Sequence, residues 1–204
     1  MGGREIVRAI PVTCVLTSYG PFAREHNSSG EAARRARECL EKEGIAVVCR
    51  EIDTAWGSFA TDLDALVRCY TPKVIVSLGE SAKITVSAVE LVGYNKREGI
   101  DADGARSTGA VDENGPSERR APAENKAAAQ ATKQSGHQLN LSYDAGRYLC
   151  NAALYTNLGF LENGRVDHAA FVHVPAREKG AAQTQSDGET VAAFVKNLVG
   201  NAVD

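Results

Sequence analysis

The sequence predicts a single α/β domain built around a mostly parallel sheet. Short β-branched runs alternate with longer helix-like runs along most of the chain, which is the βαβ pattern of such a sheet. The length of 204 residues suits one core of this kind and is small for two. Hydrophobic residues make up 43% of the chain and charged residues 24%, a balance typical of globular proteins. We therefore expect residues 1–204 to form one domain.

The first half of the chain carries three strand-like runs and two helix-like runs. The strand-like runs are apolar and rich in β-branched residues, and they cover residues 10–20, 45–53 and 73–81. Residues 28–44 place small and apolar side chains on one face, which predicts a helix capped by a serine at its start and ended by Gly44. Residues 60–71 supply a crossover helix between the second and third strands.

The second half of the chain opens with a polar segment at about residues 96–122. It contains glycine, proline and charged residues without any period, and we expect a long mobile loop over a site. The runs that follow predict a solvated helix, a strand, a helix that begins near Arg147, a late strand and an amphipathic helix. Their ranges are 123–136, 137–142, 147–155, 168–176 and 186–199.

Composition and charge exclude several classes of function. The net charge of -3 gives no basic surface for nucleic acid. The first ten residues lack the apolar core of a signal peptide, and no apolar run is long enough to span a bilayer. The five cysteines are irregularly spaced and suit neither a disulfide framework nor a zinc site. We therefore expect a reduced, cytoplasmic protein with no nucleic-acid or membrane partner.

One cysteine stands where a thiolate is favoured. Cys150 falls near the first turn of a helix, where the helix dipole and unpaired N–H groups stabilise negative charge. Among the four histidines, His173 lies at the carboxyl end of a strand, where open α/β sheets bind ligands. A thiol hydrolase needs a base of this kind. A buried structural cysteine and a core histidine that is fully hydrogen-bonded remain the alternatives on this pattern alone.

Three segments together resemble one family, the pyroglutamyl peptidase I or pyrrolidone-carboxylate peptidase family. YDAGRYLCNAALY at 143–155, followed by FVHVP at 171–175, is similar to the family's T-A-G-x-x-x-C-N segment and H-[VI]-P strand. TSYGPFARE at 17–25 occupies the place of its G-F-x-P-F-G motif. LGESAKITVSAVELVGYN at 78–95 fits L-G-Q-x-x-x-R followed by E-R-x-A-x-N without a gap. The motifs occur in the family order over most of the chain.

This resemblance implies a fold and a reaction. The fold is a three-layer α/β/α sandwich around a mixed sheet. The reaction is removal of an N-terminal pyroglutamyl residue from peptides, with Cys150 as nucleophile, His173 as general base and Glu90 as the group that orients His173. The resemblance also implies that no metal or other cofactor is needed and that the protein forms a homodimer or a homotetramer.

The resemblance further suggests where the substrate ring binds. Tyr19 and Phe22 match the two aromatic positions of the first motif, and with Asn27, Tyr148 and Leu149 they are the expected substrate-binding residues. A small neutral lactam calls for an apolar pocket with a few polar contacts.

The sequence also departs from the family pattern. Ser18-Tyr19 replaces Gly-Phe, Ala23-Arg24 replaces two glycines, and Leu91 follows Glu90 where the family has arginine. It is open whether Arg97 takes the place of an arginine that family members carry after the second motif. Two alternatives therefore stand beside the peptidase: a non-catalytic homologue that binds peptide termini, and a thiol hydrolase of another small amide or lactam.

Overall fold

The structure is a computed structural model that describes residues 12–22 and 24–200. Its strands, in chain order, are β1 (Cys14–Tyr19), β2 (Val47–Ile52), β3 (Val74–Ser81), β4 (Ala88–Glu90), β5 (Val92–Tyr94), β6 (Arg97–Ile100), β7 (Arg106–Gly109), β8 (Glu118–Arg120), β9 (Asn140–Ser142) and β10 (His168–Pro175). Its helices are α1 (Ser28–Lys42), α2 (Phe59–Tyr70), α3 (Ala123–Gln134), α4 (Leu149–Glu162) and α5 (Ala182–Gly200).

Six of the strands form the central sheet, in the order β2-β1-β3-β10-β4-β9. All neighbours in this sheet run parallel except β10 and β4, which run antiparallel. The central strands β1 and β10 are buried along their whole length, and β3 is buried except at its last two residues. This burial on both faces explains why their sequences are nearly continuous apolar runs. Two separate antiparallel pairs, β5–β8 and β6–β7, stand outside the sheet.

Helices cover both faces of the sheet. Leu40 of α1 and Phe194 of α5 belong to the buried cluster on one face, together with small residues of α3. Leu63 of α2 and Leu154 of α4 belong to the cluster on the other face. Each such side chain, once fully buried, contributes about 1.5–3 kcal/mol of transfer free energy. The prediction of an α/β/α sandwich around a mostly parallel mixed sheet is confirmed.

Two local expectations differ from the structure. The cap of α1 is Asn27 and not a serine, because its Oδ1 accepts a hydrogen bond from the Ser29 N–H at 3.1 Å. Residues 96–122 contain β6, β7 and β8 where the sequence suggested only a loop. These strands are three or four residues long and show no apolar alternation, so no sequence period marks them. The mobility expected of this segment stays a prediction.

The ends of the predicted elements shift by a few residues. The first strand begins at Cys14, whereas the sequence predicted a strand over residues 10–20, of which residues 10 and 11 lie outside the described residues. Ala23, one of the positions where the sequence departs from the family pattern, also lies outside them. The last helix begins at Ala182, four residues before its expected start, and Gln183 and Thr184 belong to it.

Within residues 12–22 and 24–200, no helix combines the length and the apolar character needed to cross a bilayer.

Candidate active site

Cys150 is the second residue of α4, as the sequence suggested. Tyr148, in extended conformation, precedes the helix as its cap residue and makes no side-chain capping bond, so the first N–H groups of the helix have no partner from this cap. The neighbouring Asn151 anchors the helix start. Its Oδ1 accepts from the Tyr94 N–H at 2.8 Å, and its Nδ2 donates to the carbonyls of Tyr94 and Lys96 at 2.8 Å each. These bonds fix the position of α4, and with it the thiol.

Gly79 makes room for the thiol against the sheet. A Cβ atom at this position of β3 would lie 2.9 Å from Cys150 Sγ and 2.8 Å from Cζ of Phe171. Both distances are shorter than ordinary contacts, so any side chain here would displace the sulfur or the ring. Gly79 pairs with His173 across the parallel β3–β10 ladder. The sulfur of Cys150 therefore packs beside the strand segment that carries the histidine.

His173 and Glu90 form a buried pair. The distance between His173 Nδ1 and Glu90 Oε1 is 2.7 Å, and the two residues are 9% and 3% exposed. Because His173 lies opposite Ala88 in the antiparallel β10–β4 pair, Glu90 is its diagonal neighbour on the same face. Since Nδ1 bonds to the carboxylate, Nε2 is the ring nitrogen left for the thiol.

The surroundings of His173 favour its charged form. Burial disfavours the imidazolium, but the charge and hydrogen bond of Cys150, followed by the hydrogen bond and charge of Glu90, outweigh burial and raise the pKa of His173 to about 10. The ring of Phe171 meets the imidazole edge-on, with centroids 4.9 Å apart, and restricts its orientation. This arrangement suits an imidazolium held between the sulfur of Cys150 and the side chain of Glu90.

A cavity of about 160 Å³ opens beside the cysteine. All five expected substrate-binding residues line it together with Cys150, and the full lining is Tyr19, Phe22, Asn27, Thr54, Glu80, Tyr148, Leu149 and Cys150. His173 and Glu90 are not among the lining residues. The structure thus brings the expected pocket residues together with the thiol, and the histidine and the glutamate lie behind it.

Aromatic side chains form much of the cavity wall. The rings of Phe22 and Tyr148 stack with centroids 5.6 Å apart, and Trp56 packs edge-on against Tyr148 at 5.2 Å. The Tyr19 hydroxyl donates to the Leu149 carbonyl at 3.2 Å. Burial, and after it the nearby Cys150 and Tyr148 groups, raise the pKa of Tyr19 well above its usual value, so this hydroxyl stays protonated.

Two residues of the cavity were not expected from the sequence, Thr54 and Glu80. Glu80 follows Gly79 at the end of β3, and its Oε1 lies 2.9 Å from Nη1 of Arg24. Its Oε2 accepts from the N–H and the hydroxyl of Ser28 at 2.8 and 2.7 Å. The position of Glu80 at the carboxyl end of a central strand is the signal that would have found it. Thr54 lies in the loop after β2, which carries no comparable signal.

Asn27 and Arg97 have local structural settings. The Asn27 side chain caps α1 and also donates to the Gly20 carbonyl at 3.1 Å, and the second N–H of its Nδ2 has no hydrogen-bond partner among the described residues. Arg97 begins β6, and its buried Nε has no hydrogen-bond partner among the described residues. Whether Arg97 serves the site stays a hypothesis.

A larger cavity, about 420 Å³, lies between α1, α3 and α5 and is lined in part by Cys39 and His137. His137 uses its Nδ1 in a contact with the Thr190 hydroxyl at 3.3 Å. The described residues show no hydrogen bond between Cys39 and His137, and no carboxylate orients that imidazole. The Cys150 cavity has a carboxylate-bonded imidazole beside its thiol, and this larger cavity has none among the described residues.

Comparisons with known proteins match this chain to one family. The family model described as pyroglutamyl peptidase matches residues 12–200. The pyrrolidone-carboxylate peptidase 1 of Ralstonia nicotianae is 28% identical over 80% of this chain and 78% of its own length. The pyroglutamyl-peptidase 1 of Rattus norvegicus is 28% identical over 91% of this chain and 89% of its own. In fold, the chain resembles the crystal structure of pyroglutamyl peptidase I from Bacillus amyloliquefaciens, with a TM-score of 0.80, 22% identity, and coverage of 96% of this chain and 97% of that one.

Proposed function

The chain belongs to the pyroglutamyl peptidase family, and we propose that it is a cysteine peptidase that removes N-terminal pyroglutamyl residues from peptides. The observation that carries the proposal is the buried Glu90–His173 pair behind Cys150, at the edge of a cavity lined by aromatic side chains. Family membership supplies the substrate class. The geometry supplies a nucleophile, a base and a wall suited to a small ring.

In the proposed reaction, Cys150 attacks as the thiolate. Its Sγ bonds to the carbonyl carbon of the peptide bond that joins the pyroglutamyl residue to the rest of the peptide. His173 holds the proton as the imidazolium, and Glu90 keeps Nδ1 protonated and directs Nε2 toward the sulfur. The carbonyl π electrons move to oxygen, and a tetrahedral oxyanion forms. The first N–H groups of α4, which receive no side-chain hydrogen bond from the cap residue Tyr148, would donate to that oxyanion.

Collapse of the tetrahedral intermediate breaks the C–N bond of the peptide. The proton on His173 Nε2 passes to the leaving nitrogen, so the shortened peptide departs with a neutral amine. The neutral imidazole then takes a proton from water, whose oxygen attacks the thioester carbon. A second collapse breaks the C–S bond, releases 5-oxoproline and returns Cys150 and His173 to their starting state.

The cavity suits a neutral five-membered lactam. Its walls combine the rings of Tyr19, Phe22 and Tyr148 with few polar groups, which is the usual composition of a pocket for a small molecule. The carboxylate of Glu80 is a hydrogen-bond acceptor, and Asn27 has a spare N–H. The wall therefore offers both an acceptor and a donor. A lactam presents the complementary N–H and C=O.

The direct test is release of a fluorophore from pyroglutamyl aminomethylcoumarin, compared with the prolyl and glutaminyl analogues. We expect turnover of the pyroglutamyl substrate alone, and none in Cys150→Ala. Turnover of a different amide would make the protein a thiol hydrolase of another small amide or lactam. No turnover of any of the three by folded protein would favour a non-catalytic homologue that binds peptide termini.

We also propose, from the irregular spacing of its five cysteines, that the protein is cytoplasmic and, from the family resemblance, that it assembles as a homodimer or a homotetramer. Light scattering coupled to size-exclusion chromatography measures the assembly directly. A mass near the 21.7 kDa of one chain at micromolar concentration would contradict it.

A further inference from the structure

The β6–β7 hairpin contacts the cavity wall formed by Tyr148. The Tyr148 hydroxyl donates to the Ile100 carbonyl at 3.0 Å. The Cδ2 side of the ring packs closely against Gly99, since a Cβ atom there would be only 2.8 Å from Tyr148 Cδ2, and Gly99 has a φ of +138° that other residues rarely adopt. The N–H of Glu98 donates to the Arg147 carbonyl at 2.7 Å. The hairpin thus holds the residues that lead into α4 and Cys150.

The same hairpin also contacts a second part of the cavity wall, the loop between β2 and α2. The Ala102 N–H donates to the carbonyl of Thr54 at 2.9 Å. The indole N–H of Trp56 donates to the Gly99 carbonyl at 3.3 Å. Thr54 lines the cavity, and Trp56 packs edge-on against Tyr148. One short hairpin therefore spans two walls that are distant in the sequence.

Asp101, at the tip of the hairpin, joins these contacts. Its Oδ2 accepts from the Trp56 N–H at 2.7 Å. Its Oδ1 accepts from the N–H groups of Asp103 and Ala105 at 3.0 and 2.8 Å, which shape the turn. The residue is only 3% exposed. The hydrogen bond from Trp56 contributes most to lowering the pKa of Asp101, so the carboxylate stays charged at neutral pH.

We propose that Asp101 is a positioning residue that fastens the β6–β7 hairpin to both walls of the substrate cavity and so holds Tyr148 in place for binding. The inference rests on the proposed function, since it assigns the cavity to the substrate ring. Among the described residues, Asp101 makes no hydrogen bond or ion pair with Cys150 or His173, so its effect falls on binding and not on the chemical step.

Replacement of Asp101 by asparagine tests the fastening at constant size. A carboxylate accepts on both oxygens, whereas an amide accepts on one and donates from the other side. The asparagine NH₂ would therefore face the N–H of Trp56 or the N–H groups of the turn, and one of the two links is lost. Asp103→Asn is the matched control, because it removes the same charge from the same turn. The Asp103 side chain is exposed and makes no hydrogen bond among the described residues.

The kinetic experiment compares wild type, Asp101→Asn and Asp103→Asn with pyroglutamyl aminomethylcoumarin. We expect the KM of Asp101→Asn to rise about 5–20-fold, as loss of a buried bond to a charged group implies, with kcat within about twofold of wild type. Asp103→Asn should match wild type in both constants. Equal KM values in all three proteins, or a fall in kcat with KM unchanged, would overturn the proposal.

Hydrogen exchange followed by mass spectrometry supplies a readout that does not need turnover. Asp101→Asn should exchange faster than Asp103→Asn at residues 53–58 and 97–109, with α5 and the central strands unchanged. Unchanged exchange in those two segments would show that Asp101 does not fasten them. If wild type turned over no pyroglutamyl substrate, the proposed function would be wrong, and the exchange experiment would still decide the fastening.

Discussion

At the level of single residues, the reactivity of the Cys150 thiol depends more on the groups around it than on its exposure to solvent. Cys69 is the exposed cysteine of the described chain, Cys150 is half-buried and Cys14 is fully buried. Burial raises the pKa of Cys14 well above its usual value and, to a smaller degree, that of Cys49. These two thiols are therefore poor nucleophiles at neutral pH.

We predict that iodoacetamide at neutral pH modifies Cys150 before the other cysteines. A thiolate and not a thiol attacks the reagent, and Cys150 is the cysteine with an imidazolium partner, His173. Limited labelling followed by mass mapping gives the order, and loss of activity should follow the modification of Cys150. Faster labelling of Cys69 with activity preserved would mean that Cys150 is not the nucleophile.

We predict that Cys150→Ala removes activity, His173→Ala lowers kcat/KM by about 10²–10⁴-fold, and Glu90→Gln is milder than either. Glu90 stabilises the imidazolium of His173, so removing its charge lowers the pKa of His173. The imidazolium is then lost at a lower pH, and the basic limb of the pH profile of kcat/KM should move to lower pH. Circular dichroism checks folding in all three variants. A wild-type profile in Glu90→Gln would make Glu90 a purely structural carboxylate.

At the level of secondary-structure elements, aromatic side chains of the cavity wall join the end of β1 and the residues after it to the start of α4. Phe22 is 38% exposed and contributes its ring by stacking on Tyr148, whereas Tyr19 is buried and also bonds to the Leu149 carbonyl. Phe22→Ala therefore tests ring binding with little effect on α4. Tyr19→Ala changes both the wall and the hydrogen bond to the helix start.

We predict that Phe22→Ala raises KM more than it lowers kcat, because the ring contacts the lactam before and during the reaction alike. Loss of an aromatic contact worth about 0.5–1.5 kcal/mol corresponds to a rise in KM of about 2–12-fold. Tyr19→Phe, which keeps the ring and removes the hydroxyl, is the comparison that separates the wall from the bond to Leu149. A large fall in kcat with unchanged KM in Phe22→Ala would place Phe22 outside the binding wall.

The sequence predicted the elements whose pattern is local and missed those that depend on tertiary contacts. The helices repeat apolar residues on one face, the central strands are short continuous apolar runs, and Cys150, His173 and Glu90 stand in recognisable motifs. The strands β6, β7 and β8 are too short for a period to appear. Gly79 matters only because the sulfur of Cys150, from a distant helix, packs against it, and no local pattern encodes that distance.

In the whole molecule, a buried polar network ties α4 to three strands of the sheet. Nδ2 of Asn157 donates to the Ser77 hydroxyl at 2.9 Å and to the Ala170 carbonyl at 3.3 Å. The Thr17 hydroxyl donates to the same Ser77 oxygen at 2.7 Å. All these side chains are fully buried, so each hydrogen bond replaces one that water would make to the unfolded chain. The network links β1, β3 and β10, whose carboxyl ends carry the site, to the helix that carries the nucleophile.

We predict that Asn157→Ala lowers the free energy of unfolding by about 1–3 kcal/mol, because it removes the two buried hydrogen bonds that Nδ2 donates to Ser77 and Ala170 and leaves a void where the side chain packed. Urea denaturation followed by circular dichroism measures the change, and an unchanged m-value would show that the unfolded state is the same. Thr156→Ala is the control, since it truncates the adjacent, partly exposed residue of α4 and should change stability by less than about 0.5–1 kcal/mol. Because α4 is held to the sheet through Asn157, kcat should fall in Asn157→Ala under conditions where it remains folded. Wild-type stability and wild-type kcat in this variant would mean that packing alone fixes α4, and with it Cys150, on the sheet.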